Sequence, residues 1–287
     1  MLMMGRHSPR FTMTDGALPS GLWLIGLGPG DLGLMTADAI ECARACKYRF
    51  LEGYTATLPD DQELLLEGLV GPWKRAMRPM VENPEKILAI AKESSVALLV
   101  VGDPMQATTH IDLEGHCSEQ GIGYSIIPGI SATSLAVTVS GLQSYRFGRQ
   151  VTLPFDYGNY LPTSPLKLID ANYTNNLHTL VLLDLDPTGM GVESPQPMEP
   201  SRAVELLQNM FERLVEVEGR SRVSMSTPIA KWNGILLSDL GTAEQRVVSG
   251  NLEDLASIES GRMHCLILPA KFSGMEAEAY ERRRIRV

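Results

Sequence analysis

Three short apolar runs in the first half of the chain each end in a turn rich in glycine or proline and then lead toward a helix. The runs are residues 22–25, 97–101 and 124–127, and the turns are GLGPGD (26–31), GDP (102–104) and PG (128–129). Buried strands that alternate with helices in this way are typical of a parallel sheet covered by helices. Ligands bind at the carboxyl ends of the strands in such sheets, so we expect the three turns to converge on one site.

The 287 residues, of which 44% are hydrophobic, are enough for two cores. Between residues 148 and 176 the composition shifts to Pro, Tyr, Asn, Thr and Ser, which is typical of a linker. We therefore predict a flexible extension over residues 1–20 that adds nothing to the core, a first α/β domain over 21–154 and a second over 155–287. For the second domain we expect a mixed sheet, with a helix at 201–217 and strands at 179–185, 223–226, 234–240 and 264–268. The loop at 189–200 has no predicted role.

The charge balance excludes some partners. Lys and Arg total 25 against 34 Asp and Glu, a formal net charge of −9, which argues against sequence-independent binding to nucleic acid or anionic lipid. No window of 18 uninterrupted apolar residues occurs, and the first twenty residues lack the apolar run of a signal peptide. We therefore expect a cytoplasmic protein that does not bind membranes.

Cys42 and Cys46 lie one helical turn apart, a spacing that could hold a metal ion if two further ligands were supplied. Neither cysteine belongs to a CxxC pair. The sequence favours small buried thiols in a helix, and no metal site is predicted.

The residues of the three turns each allow two interpretations. The glycines at 26, 28 and 30 match neither a Rossmann nor a Walker pattern, so this turn is either structural or a binding turn. Asp103 is an acceptor for a ligand hydroxyl or ammonium group, or it caps a helix after Pro104. Ser131 either caps the next helix or marks amides that bind a carboxylate.

Longer motifs identify a family. They are LEGYT (51–55), GDPMQATTH (102–110), GLQSYRFG (141–148), LHTLVLLD (177–184) and HCLILP (264–269). On these motifs the chain resembles, from about residue 22 to 271, the S-adenosylmethionine-dependent tetrapyrrole methylase fold family, and within it the branch that acts in diphthamide biosynthesis.

This resemblance implies a homodimeric class III methyltransferase with two α/β domains and S-adenosylmethionine in the cleft between them, converted to S-adenosylhomocysteine. It implies no metal, and no catalytic residue is assigned. The family pattern near residue 229 usually reads Ala-Arg-Ala-Gly, whereas this chain has STPIA at 226–230. By motif position, the resemblance places cofactor contacts at Pro29, Asp103, Gln106, Ser131, Ala132, Leu183, Ile229 and His264.

The resemblance also implies a protein substrate. The branch methylates the 3-amino-3-carboxypropyl group on a histidine of translation elongation factor 2, and successive N-methylation gives diphthine. The residues expected to face this substrate are Tyr54, His110, Tyr145 and Arg146. Arg146 has an alternative role in a structural ion pair or a dimer contact, because arginine is abundant in interfaces of every kind.

Two other functions stay open at this point. A precorrin-type tetrapyrrole C-methyltransferase is the first, because PGD at 29–31 and PGIS at 128–131 are closer to that branch of the family. The second is a binding module that holds elongation factor 2 or S-adenosylmethionine without turnover.

Overall fold

The computed structural model of the chain describes residues 18–158, 160–220, 224 and 228–285. They form two compact units. The first runs up to Ala132 and includes Gly191–Pro195, and the second contains Thr133–Met190 and the residues from Gln196 onward. The division therefore falls earlier than the predicted one near residue 155, because the strand at Val151–Leu153 already pairs within the second sheet.

The amino-terminal extension was predicted too long. Residues 1–17 lie outside the described part of the chain, but Leu18 is buried in the first core. The indole Nε1 of Trp23 also donates a hydrogen bond to the carbonyl oxygen of Pro19 at 3.4 Å. Residues 18–20 therefore contribute to the fold.

The first unit contains a five-stranded parallel sheet. Its strands in chain order are β1 (Gly21–Gly26), β2 (Tyr48–Glu52), β3 (Lys74–Ala76), β4 (Ser95–Val100) and β5 (Tyr124–Ile127). The spatial order is β3-β2-β4-β1-β5, and each neighbouring pair is parallel, which confirms the prediction for this half. Both faces are covered: Ile25 and Leu99 belong to one apolar cluster, and Leu24 and Leu98 belong to another.

Helices follow the strands of this unit. They are α1 (Ala37–Ala45), α2 (Asp60–Val70), α3 (Arg78–Glu82), α4 (Glu85–Ala91), α5 (Ile111–Glu119) and α6 (Ala132–Ser140), which begins at the last residue of the unit. The Oγ1 of Thr36 accepts a hydrogen bond from the amide of Ala39 at 3.1 Å, so Thr36 caps α1. The segment from α2 to α4 was not predicted.

The second unit contains a mixed five-stranded sheet, as predicted. Its strands are β6 (Val151–Leu153), β7 (Thr179–Leu183), β8 (Asn233–Ser238), β9 (Arg246–Asn251) and β10 (His264–Leu268), in the spatial order β6-β7-β10-β8-β9. Only the β6–β7 pair in this sheet is parallel. Its helices are α7 (Ser164–Thr174), α8 (Pro200–Glu218), α9 (Leu252–Ala256) and α10 (Gly274–Arg282). The predicted strand at 223–226 lies outside the described residues except for Ser224, which belongs to no helix or strand.

Part of the loop at 189–200 packs on the first unit. The amide of Arg78 donates a hydrogen bond to the carbonyl oxygen of Gly191 at 3.1 Å. Gly191 has a φ of +61°, and a Cβ atom there would overlap the side chain of Arg78. The loop therefore holds the start of α3, a role that the sequence did not indicate.

Within the described ranges, no helix combines the length and apolar composition needed to cross a bilayer.

Candidate functional site

The turns after β1, β4 and β5 meet at the carboxyl edge of the first sheet. Gly28 and Gly102 exchange two backbone hydrogen bonds, of 3.2 Å from the Gly28 amide and 2.7 Å from the Gly102 amide. Their φ angles are +79° and +84°, which favours glycine. Gly129 lies so close that a Cβ atom there would collide with the carbonyl oxygen of Gly102. The predicted convergence of the three turns is confirmed.

Asp103 ties the second turn to the third. Its Oδ1 accepts a hydrogen bond from the amide of Met105 at 2.9 Å, and its Oδ2 accepts one from the amide of Gly129 at 3.1 Å. No helix starts directly after Pro104, since α5 begins at Ile111. The interpretation of Asp103 as a helix cap was therefore wrong. Each carboxylate oxygen has two lone pairs, so Asp103 can still accept a bond from a ligand.

The other predicted cofactor residues of this unit lie on the same three turns. Pro29 is buried in the first turn, and Gln106 is exposed in the second. Ser131 is buried directly before α6, and Ala132 is the first residue of that helix. A Cβ atom built on Gly102 would meet no atom within 4 Å, so open space adjoins the backbone where these turns meet.

Leu183 and His264 lie side by side in the second unit. Leu183 ends β7 and His264 begins β10, and the antiparallel register places Cys265 opposite Leu182. Ile229 is different, because its side chain is fully buried in the core of this unit. Only backbone atoms of Ile229 are therefore suited to a ligand contact.

One ring nitrogen of His264 has a hydrogen-bond partner and the other has none. Its Nδ1 lies 2.8 Å from the Oγ of Ser238, whereas its Nε2 is buried without a hydrogen-bond partner. Burial lowers the pKa of His264, so the ring is neutral near pH 7. A buried unpaired nitrogen of this kind fits a polar group of a bound ligand.

Tyr54 and His110, two predicted substrate residues, lie together in the first unit beside Glu52. The Nε2 of His110 is 3.9 Å from the Oε1 of Glu52, and all three side chains are buried. Burial raises the pKa of Glu52 to about 7, although hydrogen bonds from Thr55 oppose the shift. The sequence analysis did not single out Glu52. The available signal was a carboxylate at the end of β2, directly after the buried Phe50 and Leu51.

The other two predicted substrate residues belong to the second unit. Tyr145 is exposed, with 80% of its surface accessible. Arg146 pairs with Glu276 through Nη1, and its Nη2 donates to the carbonyl oxygens of Lys271 and Asn176 at 2.6 and 3.3 Å. This arrangement is the structural ion pair that the alternative interpretation of Arg146 predicted.

The described part of the chain contains no group of three or more His, Cys, Asp or Glu side chains arranged to hold a metal ion. Cys42 and Cys46 are buried, and burial raises their pKa values to about 11 and about 12. Both thiols are therefore protonated near pH 7.

Comparison with known proteins agrees with this architecture. The sequence profile of the tetrapyrrole (corrin/porphyrin) methylases matches residues 21–256. Diphthine synthase of Methanocorpusculum labreanum is 35% identical over 91% of this chain and 98% of its own length. Human diphthine methyl ester synthase is 33% identical over 86% of this chain and 89% of its own length.

A solved structure supports the same assignment. A crystal structure of diphthine synthase, 27% identical, superposes with a TM-score of 0.77 and covers 92% of this chain and 95% of that chain. The chain is thus a methyltransferase, and the precorrin-type alternative is not favoured. The chain belongs to the tetrapyrrole methylase family, in the branch that contains the diphthine synthases.

Proposed function

We propose that this protein uses S-adenosylmethionine to methylate the amine of the 3-amino-3-carboxypropyl group on a histidine of translation elongation factor 2, giving diphthine. One observation carries this proposal: the similarity to diphthine synthase of Methanocorpusculum labreanum covers 91% of the chain and 98% of that relative. A match of this length includes residues of both units.

The residues present fit the cofactor. In the first unit, open space adjoins Gly102, and Asp103 keeps free acceptor capacity beside the exposed Gln106. In the second unit, the unpaired Nε2 of His264 lies beside the end of β7. We propose that the cofactor is held by Pro29, Asp103, Gln106, Ser131, Ala132, Leu183, His264 and the backbone of Ile229.

S-adenosylmethionine supplies a methyl group already activated by a sulfonium. The chain therefore needs no nucleophilic side chain, and its task is to orient the substrate amine and to exclude water. Hydrogen bonds between Gly28 and Gly102, and from the Gly129 amide to Asp103, fix these turns. Such preorganised groups reduce the reorganisation needed at the moment of reaction.

The proposal includes the setting of the reaction. We propose elongation factor 2 as the protein partner, a homodimer as the active form and the cytoplasm, where translation takes place, as the compartment. We propose that Tyr145 faces the protein substrate, because most of its side chain is accessible. Light scattering of the purified chain checks the dimer, for which we expect twice the mass of one chain.

The decisive experiment follows the mass of the factor. The purified chain is incubated with S-adenosylmethionine and elongation factor 2 that carries the unmethylated 3-amino-3-carboxypropyl histidine, and intact mass spectra are recorded over time. We expect mass gains in steps of one methyl group. Mild alkali then removes any methyl ester but leaves methylated amine, so the same spectra count methyl groups at both positions.

Two controls make the outcome specific. Elongation factor 2 with an unmodified histidine should gain no mass, and a precorrin offered in place of the factor should not be methylated. Methylation of the precorrin alone contradicts the proposal. Binding of S-adenosylhomocysteine without methylation of either substrate also contradicts it, and indicates a binding module.

A further inference from the structure

Four neighbouring polar side chains of the first unit, three of them buried and one (Arg78) partly exposed, show unusual hydrogen bonding. They are Glu52, Tyr54, Arg78 and His110, which we call the Glu52 cluster. Each has a buried nitrogen or oxygen without a hydrogen-bond partner: Glu52 Oε1, Tyr54 OH, Arg78 Nε and His110 Nε2. Folded proteins leave few buried polar atoms unpaired, so four in one place call for a partner that binds there.

Two of these atoms are acceptors that face one another. The Nδ1 of His110 lies 2.8 Å from the carbonyl oxygen of Pro104, which can only accept, so Nδ1 carries the ring proton. Burial lowers the pKa of His110, and the neutral ring therefore directs a lone pair from Nε2 toward Glu52 Oε1, 3.9 Å away. This distance is too long for a direct hydrogen bond. A donor placed between the two atoms would satisfy both.

The other Glu52 oxygen is already used. Oε2 accepts hydrogen bonds from the hydroxyl and the amide of Thr55, at 2.7 and 3.3 Å. These bonds fix the carboxylate plane and leave Oε1 as the free acceptor. A partner for Oε1 must therefore bring its own donor, and an ammonium group suits a buried carboxylate best because it also balances the charge.

The remaining two atoms are donors. The guanidinium of Arg78 lies 5.0 Å from the centre of the Tyr54 ring, and its Nη1 is 3.6 Å from Oε1 of Glu82. Its Nε has no partner, and neither does the Tyr54 hydroxyl. An arginine N–H and a neutral phenol are both suited to a carboxylate. Burial, together with the nearby Glu52, raises the pKa of Tyr54, so the phenol keeps its proton.

The cluster adjoins the turn after β4 and meets a cavity at His110. Glu52 ends β2, and His110 is anchored to Pro104 in the turn after β4, next to Asp103. A cavity of about 230 Å³ adjoins it, and its lining includes Glu82, Thr109 and His110. This volume is small compared with drug-sized pockets, and it suits a short polar group.

We propose that the Glu52 cluster binds an α-amino acid head group, with the ammonium between Glu52 and His110 and the carboxylate toward Arg78 and Tyr54. The inference rests on the proposed function, which supplies two such groups. One is the 3-amino-3-carboxypropyl group of the factor, and the other is the methionine end of the cofactor. The test has one arm for each source.

The test compares ligands with and without the head group, and it measures binding in the absence of turnover. In the factor arm, elongation factor 2 with the 3-amino-3-carboxypropyl histidine is compared with unmodified factor, both in the presence of S-adenosylhomocysteine. In the cofactor arm, S-adenosylhomocysteine is compared with 5′-methylthioadenosine, which lacks the head group. Calorimetry gives the Kd ratio of each pair for the wild-type chain and its variants.

The main variant is Glu52→Gln, which keeps the shape of the side chain and removes its charge. We expect the Kd ratio of one pair to shrink about tenfold or more, as for a lost hydrogen bond to a charged group. The matched control is Glu67→Gln, an exposed residue of the same unit, which should leave both ratios unchanged. Tyr54→Phe removes only the hydroxyl, and we expect about a threefold loss in the same arm.

Loss in the factor arm alone assigns the cluster to the substrate, and loss in the cofactor arm alone assigns it to the cofactor. Unchanged ratios in both arms, for Glu52→Gln and Tyr54→Phe proteins with native circular dichroism, overturn the inference and leave a water-filled structural cluster. A failure of the proposed function is a separate result, because the wild-type chain would then not methylate the factor.

Discussion

Glu52 in the first unit and Glu276 in the second are both 1% exposed, yet their surroundings differ in almost every other respect. Glu276 pairs with Arg146, and its oxygens accept bonds from the amides of Gln143 and Ser273 at 3.1 and 2.8 Å. Glu52 accepts two hydrogen bonds from Thr55 through Oε2, whereas its Oε1 has no hydrogen-bond partner of good geometry.

The pKa values follow these surroundings. Burial alone would raise the pKa of Glu276, but hydrogen bonds from Ser273, Gln143 and His178 outweigh it and hold the pKa at about 2. For Glu52 burial prevails, and the pKa rises to about 7. The difference shows that burial by itself does not mark a buried carboxylate as functional. The number of hydrogen bonds it lacks is the better sign.

The largest expected effect is on Glu276. Replacing it in Glu276→Gln leaves Arg146 without its buried counter-charge. We expect a loss of about 3 kcal/mol in the free energy of unfolding, measured by urea denaturation. Glu278→Gln in the same helix is the control, because its ion pair with Arg282 is exposed and should contribute little. Equal effects of the two variants would remove the contrast on which the comparison depends.

The pH dependence of stability should also distinguish the two carboxylates. The pKa of Glu276 is lowered from 4.5 to about 2, so its stabilising contribution is complete above pH 4.5 and is lost as the pH falls toward 2. The difference in unfolding free energy between the wild-type chain and Glu276→Gln should therefore shrink as the pH falls from 4.5 toward 2. Urea midpoints of both proteins at several pH values measure the change, and a constant difference would contradict the prediction.

Glu52→Gln should increase the free energy of unfolding near neutral pH, whereas Glu276→Gln should decrease it. Because the folded pKa lies at about 7 and the unfolded one at 4.5, ionisation of Glu52 opposes folding progressively between these pH values. The variant should be more stable than wild type at pH 8 by up to about 3 kcal/mol, and this gain should vanish below pH 4.5. Glu67→Gln, measured in parallel, should show no such pH-dependent gain. A Glu52→Gln protein that is less stable than wild type at pH 8 would show that Glu52 is a structural residue like Glu276.

We expect a loss of stability of intermediate size at Asp103. Its two oxygens accept hydrogen bonds from backbone amides, and no ion pair is seen for it within the described residues. Asp103→Asn turns one acceptor oxygen into a donor that faces the amide of Gly129 or Met105. We expect a loss of about 2 kcal/mol in unfolding free energy, and weaker binding of S-adenosylhomocysteine in calorimetry. Asp38→Asn, at an exposed position in α1, is the control and should change stability by a few tenths of a kcal/mol.

The smallest effect is expected for Tyr54→Phe. Removal of a buried hydroxyl that has no partner leaves no new unpaired group, so the unfolding free energy should change by less than about 1 kcal/mol. Thermal denaturation followed by circular dichroism is sufficient. A much larger loss would mean that the hydroxyl makes an essential hydrogen bond in solution. The Glu52 cluster would then be a structural network like that of Glu276.

The sequence predicted the parallel sheet because β1, β4 and β5 are mostly apolar and each is followed by a turn that contains glycine. The stretch from α2 to α4 was missed, since β3 has only three residues and the helices α3 and α4 have five and seven. Such short elements are set by tertiary packing more than by their own pattern. The domain boundary was placed too late for a similar reason, because β6 has only three residues.

The candidate site was predicted in part. The three turns and Asp103 could be found because strand ends and glycines mark them in the sequence. The partner of Arg146 is 130 residues away, so no local pattern connects the two. Glu52 was missed for a different reason: its distinguishing property is the absence of partners, which becomes visible only when all neighbouring side chains are in place.

The close contact of Gly26, Gly102 and Gly129 has a mechanical consequence. A Cβ atom on Gly26 would meet the backbone of both other glycines, at 2.5 Å from the Gly129 amide nitrogen and 2.7 Å from the Gly102 carbonyl oxygen. With no side chain between them to deform, the three loops cannot fluctuate independently, and a displacement of one must be followed by the others. The edge of the sheet therefore behaves as one stiff element.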